Sequence, residues 1–200
     1  MMAMTPFDFV VSIALGVGLA AAVGFRVFLP LLITSIATYT GYIPVSGGFE
    51  WLATPAAVIM LGVAALAEVL AYYIPGIDNL LDTIATPAAL IAGTLVSAAV
   101  MADLPPLVKW TAAIIAGGGA AGITQGVTAM IRANSTVFTG GLGNPVIATA
   151  EFGGAAIVSL LALAVPFVAL GVVILFCWFA VRTIRRLLRR APEPETRGTG

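Results

Sequence analysis

The feature that most constrains this chain is a succession of apolar runs, each close to the length needed to cross a bilayer and nearly free of charge. A spanning helix needs about 20 consecutive apolar residues. Of the 200 residues, 60% are hydrophobic and 9% are charged, against about 25% charged in an ordinary soluble domain. A surface facing water cannot be assembled from so few charges, and the mean hydropathy of +1.10 agrees. The expected fold is an all-α membrane protein, with a single transmembrane domain over residues 1–190. The tail, residues 191–200, is rich in Pro, Glu, Thr and Gly, has no apolar face to bury, and is expected to be disordered on the cytoplasmic side.

Pro, Gly and Asp divide the runs. The first extends from Phe7 to Tyr39, interrupted only by Gly24, Arg26 and Pro30. It is too long for one straight crossing, so it is either a tilted, kinked helix or a crossing followed by a half-membrane segment. Gly41 to Glu50 reads as a loop, and Leu52 to Ile74 is the clearest span, closed by Pro75-Gly76. Ile77 to Ala85 sets Ile77, Leu80, Leu81 and Ile84 at helical spacing with Asp78 and Asp82 opposite, the pattern of an interfacial helix. Pro87 to Ala102 is a shorter span, stopped by Asp103, Pro105 and Pro106. Leu107 to Ile131 is the next, and a Gly/Asn-rich stretch from Asn134 to Pro145 follows it. Val146 to Val181 again exceeds one crossing and divides at Pro166 into two. About six crossings result, which puts both termini on one side. Arg182, Arg185, Arg186, Arg189 and Arg190 place that side in the cytoplasm of a bacterial plasma (inner) membrane, because Lys and Arg accumulate in cytoplasmic flanks. The same arginines suit anionic lipids.

A weak internal repeat relates residues 7–102 to residues 105–186. Gly18-Leu19-Ala20-Ala21 lies over Gly118-Gly119-Ala120-Ala121, and Tyr39-Thr40-Gly41 over Phe138-Thr139-Gly140. Three crossings per half would make the halves inverted copies with broken helices, an arrangement that puts a transport site between them.

Several functions are disfavoured. The formal net charge is zero and basic groups are concentrated at one end, so no nucleic-acid partner is expected. Histidine is absent, which removes the commonest general base and neutral metal ligand. The single Cys177, in an apolar run, reads as a small hydrophobe. The chain is therefore expected to be no enzyme and to hold neither cofactor nor metal. A transporter or channel of unknown substrate remains, with a structural or assembly protein as the alternative; self-association as a homo-oligomer stays open.

The residues that stand out are polar groups in apolar surroundings. Arg26 lies within the first run, and a charge near the bilayer centre costs at least about 2.5–3.5 kcal/mol on insertion scales. It should face protein or water and be compensated, with Glu68 of the second span as first choice of partner and carbonyls around Gly140 to Asn144 as second. Glu151 sits near a helix start, where an acid complements the dipole. Asn134, Thr139, Gly140, Gly141 and Asn144 belong to a flexible stretch able to present backbone groups to a ligand. With Arg26, Glu68 and Glu151 they form the candidate substrate or ion path. Gly118, Gly122 and Gly126 recur every four residues, and Gly18 lies between Ala14 and Ala22 at the same spacing, which predicts close helix packing.

Four segments, in order, carry a resemblance: Gly24-Phe25-Arg26-Val27-Phe28-Leu29-Pro30-Leu31-Leu32, Gly48-Phe49-Glu50-Trp51-Leu52, Ile74-Pro75 with Asp78 and Asp82 after it, and Thr139-Gly140-Gly141-Leu142-Gly143-Asn144-Pro145. Over most of Gly16 to Arg186 the chain resembles small bacterial membrane proteins grouped as domain of unknown function 4126. The resemblance implies a membrane protein and supplies no activity. Where the family often has Ser-Thr directly before the Gly-Gly pair, Val137-Phe138 here separates Ser135-Thr136 from Thr139.

Overall fold

A computed structural model describes residues 6–189 apart from 75, 76 and 103, without the side chains of Pro6, Asp78, Asn79, Asp82, Ile184, Leu187, Leu188 and Arg189. The expected tail, Arg190, the Pro75-Gly76 stop, the Asp103 stop and the placing of Asp78 and Asp82 on a wet face lie outside what is described. Among the described residues there is no strand. The helices are α1 (Pro6–Val23), α2 (Phe28–Tyr39), α3 (Pro55–Ala71), α4 (Ile77–Val100), α5 (Pro106–Ala112), α6 (Gly119–Thr139), α7 (Asn144–Ala164) and α8 (Pro166–Arg189). A 3-10 turn, Glu50–Ala53, precedes α3, and a π-helical turn, Ala113–Gly118, joins α5 to α6.

Proline opens α3, α5 and α8, where its missing N–H costs nothing because the first turn has no intrahelical acceptor. Thr54 adds a side-chain cap, its hydroxyl accepting from the Ala57 amide at 3.2 Å. The division of the last run at Pro166 is as expected. Ile77 to Ala85, by contrast, is no separate interfacial helix but the first part of α4, which continues through Pro87. A proline inside a helix removes one backbone bond, and a packed membrane bundle tolerates that.

Four helical stretches are long and apolar enough to cross a membrane: Thr83–Val100, Pro106–Thr139, Asn144–Ala164 and Pro166–Thr183; Phe7–Val23, Phe28–Tyr39 and Pro55–Ala71 are apolar but shorter. Large side chains point outward, such as Ile59, Met60, Val63 and Leu66 on α3 and Ile174 and Leu175 on α8. The interior is built largely from Ala and Gly, as expected where helices associate by close approach rather than by hiding apolar surface from water. A Cβ on Gly93 would lie 2.4 Å from the Ala121 Cβ, and one on Gly24 2.4 Å from the Ala121 carbonyl oxygen. Gly18 meets Ala162 and Ala169, Gly118 meets Thr94, and Gly122 meets Leu90, all as expected of packing residues. Gly126 differs: nothing stands within 4 Å of its Cβ position, so no helix packs closely against it there.

The first apolar run resolves into a hairpin. At the break after α1, Arg26 reaches Ala148 near the start of α7, whereas Gly18 of α1 and Ile36 and Thr40 of α2 all lie near Leu160 to Leu163 at its end. The chain therefore descends in α1 and returns in α2. Phe7 stacks on Phe167 at the start of α8, with ring centroids 5.6 Å apart, so the described chain begins and ends at opposite ends of the bundle. This corrects the expectation that both termini share a side, which followed from treating the α1–α2 run as odd in its crossings. The repeat is corrected in the same way. Gly16 and Ala20 of α1, and Gly117 to Gly122 leading into α6, both pack antiparallel to α4, so the matched segments run in the same direction. Inverted copies would run in opposite directions.

The loop after α2 is tied to the same end as the C-terminus of α4. Ser46 donates its amide to the Ala99 carbonyl at 2.7 Å, Lys109 Nζ donates to Ser46 Oγ at 2.6 Å, and Ser35 Oγ donates to the Leu52 carbonyl at 2.6 Å.

Candidate functional site

The break between α1 and α2 positions the site. Between Val23 and Phe28 the helix is interrupted, which frees the amides of Val27 and Phe28 from intrahelical acceptors. Gly24 permits this inside the bundle because α6 passes directly behind it. Glu68, near the end of α3, accepts from the freed groups: the Val27 amide donates to Oε1 at 2.8 Å and the Phe28 amide to Oε2 at 3.1 Å. A carboxylate here also meets the positive end of the α2 dipole. Glu68 thus replaces the missing turn of helix and is not the ion-pair partner of Arg26 that the sequence suggested.

Arg26 pairs instead with Glu151. Arg26 Nη2 lies 3.5 Å from Glu151 Oε2 and donates to the Ala148 carbonyl at 3.0 Å. The expected alternative source, the carbonyls of Gly140 to Asn144, is thereby replaced by one on α7. Glu151 is shared: Arg132 on α6 donates through Nε to Oε1 at 2.9 Å and pairs through Nη2 with Oε2. That side-on contact is the fork geometry in which guanidinium and carboxylate bind most strongly. Arg26, Arg132 and Glu151 are 2%, 3% and 4% exposed, so the cluster is closed to solvent. Glu151 lies seven residues into α7, about 10 Å from that end at 1.5 Å per residue. It is past the first turn, so its placing there reflects the two arginines rather than the helix dipole.

Tyr72 completes the cluster. The guanidinium carbons of Arg26 and Arg132 lie 3.9 and 4.0 Å from the centre of its ring, where the negative π face attracts cations. The neighbouring Tyr73 hydroxyl bonds Thr149 of α7 at 2.7 Å, which pins the end of α3 over the site. Tyr72 also lines a cavity of about 460 Å³ between α2, α3 and α4, with Val27, Phe28, Ala67, Glu68, Leu81 and Ala88 among its other lining residues. Among the described side chains its lining is apolar apart from Glu68 and Tyr72.

The Gly/Asn stretch is not brought to this centre. Asn134 is exposed and donates to the Met130 carbonyl of its own helix at 2.7 Å. Thr139 donates to the Ser135 carbonyl and accepts from the Gly143 amide at 3.0 Å; Gly140 and Gly141 take positive φ, 61° and 89°, to turn the chain. Asn144 is buried, and its Nδ2 donates to Thr136 Oγ1 at 3.1 Å. These groups bond mainly one another, so the segment is the turn that closes α6 onto α7. The Thr136 hydroxyl finds its role in that closure despite the two intervening residues.

Arg132 and Tyr72 were not evident from sequence. Arg132 falls one residue past Ile131, where the apolar run stops, and so looked like a flank. The signal was its spacing: Thr124, Thr128 and Arg132, four apart, form one buried polar face on α6. Further along the interior the hydroxyls of Ser97, Thr124 and Ser159 are buried without a hydrogen-bond partner in the protein. Among the described residues no group of His, Cys, Asp and Glu is arranged to hold a metal.

Residues 13–186 match the sequence profile of a family described as Domain of unknown function (DUF4126). No curated protein and no solved structure matches the chain.

Proposed function

The chain belongs to the DUF4126 family, and from its buried charge centre and the adjoining cavity we propose that it is a small membrane transporter or channel whose path passes Arg26, Arg132 and Glu151. One observation carries this reading. Tyr72 lines the 460 Å³ cavity and at the same time holds both guanidiniums, so a rotation of one ring would join the cavity to the charge centre. The partnerless hydroxyls of Ser97, Thr124 and Ser159 support it, because buried polar groups at membrane depth suit a passage that is wetted in turn.

A second reading, a structural protein in which the charges tie helices together, draws on the burial of the cluster and the engagement of each charge by another element. Proteoliposome flux separates the two. The purified chain is expected to pass a small ion or organic solute, read by light scattering and by a membrane-potential dye. Arg26→Ala should then insert and abolish flux. Loss of folded protein in Arg26→Ala, together with no flux of potassium, chloride or small organic anions through the unaltered chain, would favour the tie.

At the end of α8, Trp178, Arg182, Arg185 and Arg186 line an open groove, with the Arg182 guanidinium 5.1 Å from the Trp178 ring. An indole beside exposed arginines suits the headgroups of an anionic leaflet and supports a cytoplasmic position for this end.

A further inference from the structure

We propose that the Arg26–Arg132 pair is a binding site for an organic monocarboxylate, that the Glu151 side chain occupies it in the structure seen here, and that each substrate anion displaces Glu151 as Glu151 takes up one proton. The inference rests on the transport reading for its path and on the cluster itself for its chemistry.

The chemistry follows from the resident anion. Arg132 meets the two oxygens of Glu151 with two nitrogens of its fork, and Arg26 approaches the second oxygen from another element. This is a receptor for a planar carboxylate, and the carboxylate in it belongs to the protein. The guanidiniums cannot change charge, and Glu151 is buried, so its carboxylate pushed off both of them would be left uncompensated in the interior; it gives up the seat as the neutral acid. The other ionisable groups facing the cluster do not take that role. Glu68 and Tyr72 come from α3; the Glu68 oxygens are engaged by the Val27 and Phe28 amides, and Tyr72 presents its ring. Tyr73 is bonded to Thr149. The half-buried Cys177 is on α8. Among the described side chains, Glu151 is the carboxylate within ion-pair distance of both arginines.

The route selects the rest of the molecule. A carboxylate arriving through the cavity passes Val27, Phe28, Ala67, Leu81 and Ala88, so its body is apolar. The balance is simple. A hydronium ion yields its proton to the Glu151 carboxylate, the Glu151 contacts with Arg26 and Arg132 break, and the substrate carboxylate forms them instead. Release reverses both, so one proton accompanies one monoanion and no net charge moves.

The test uses phenylpyruvate and pyruvate, acids strong enough to stay ionised near neutrality and therefore slow to cross bare lipid. In detergent, phenylpyruvate is expected to bind the unaltered protein roughly tenfold more tightly for each pH unit lowered, the slope of one proton per anion. Calorimetry in buffers of different ionisation enthalpy counts that proton. Glu151→Gln, which resembles the protonated side chain, should bind independently of pH. In proteoliposomes it should exchange internal for external phenylpyruvate while losing accumulation driven by an inward proton gradient. A pH-independent affinity in the unaltered protein, or accumulation indifferent to the proton gradient, overturns the inference even if Glu151→Gln fails to fold. Flux of cations or neutral solutes with no carboxylate binding also overturns it and leaves the transport reading standing. Proton-linked binding without any flux supports the site and ends the transport reading. Neither binding nor flux ends both.

Discussion

Arginine occurs in two settings in this protein. Arg26 and Arg132 lie inside the bundle, share one carboxylate and one aromatic ring, and have almost no contact with solvent. Arg182, Arg185 and Arg186 line an open groove at the end of α8 and are exposed, with an indole beside them. The side chains are identical, yet only the first pair must be compensated by the protein. The second group lies open to its surroundings, whereas in the interior every displaced hydration contact has to be replaced by a named atom. The comparison teaches that in a chain with few charges, the position of a cation relative to helix ends decides whether it is structure or surface.

Removing the shared anion should produce the largest difference between the two groups. Glu151→Ala leaves two like charges buried without their carboxylate and is expected to cost about 3–5 kcal/mol, read as loss of monodisperse protein on size exclusion and a lower Tm. A variant as stable as the parent would mean that the inner pair is as well solvated as the outer group. Gly93→Leu comes next, because a side chain there meets Ala121 and the bundle that encloses the cluster must open; about 1–3 kcal/mol is expected. The same change at Gly126, where space is open, should leave Tm almost unmoved.

Tyr72 sharpens the comparison further. Tyr72→Phe keeps the ring against both guanidiniums and should retain the stability the ring supplies, whereas Tyr72→Leu should lose about 1–2 kcal/mol more of thermal stability than Tyr72→Phe. Equal losses in the two variants would assign the effect to the hydroxyl instead. A surface carboxylate provides a still smaller effect. Hydrogen bonds from its own backbone and from the Gly48 amide hold the exposed Glu50 carboxyl below its ordinary value of 4.5. A depressed carboxyl stabilises the fold above the unfolded value and loses that contribution as pH falls through the folded one. On acidification below 4.5, the Tm of the parent should therefore drop slightly more than that of Glu50→Gln. The smallest change in stability is expected from replacing Arg182, Arg185 and Arg186 by Gln together. Tm should stay within about 0.5 kcal/mol of the parent in ΔG terms, while flotation with anionic vesicles of a detergent-solubilised sample weakens.

Some of this was legible before any coordinates. The Pro166 division, the prolines that open helices, and the packing role of Gly18, Gly118 and Gly122 follow from rules that act within one or two turns of chain. So does the exceptional position of Arg26, since a lone guanidinium in an apolar run is conspicuous wherever it folds. Arg132 was missed because its apolar run ends one residue earlier. Glu151 was misread because an acid near a helix start has a local explanation that happens to be insufficient here. The turn at Gly140 and Gly141 looked like a ligand-binding stretch, and its hydrogen bonds turned out to be satisfied mainly within the turn itself.

The sequence by itself determined that this is a helical membrane protein whose first run is interrupted around Gly24, Arg26 and Pro30 and whose last divides at Pro166, because hydrophobicity and backbone restriction are properties of short stretches. Tertiary structure alone decided that α2 returns beside α1 and that the chain begins and ends at opposite ends of the bundle. It also decided which charges meet. Arg26 finds its carbonyl acceptor 122 residues away and the α2 amides find Glu68 about 40 residues away. The physical reason is that a charge at membrane depth accepts any partner of opposite sign within reach. Which partner is within reach depends on how helices of Ala and Gly close against one another, which no local rule records.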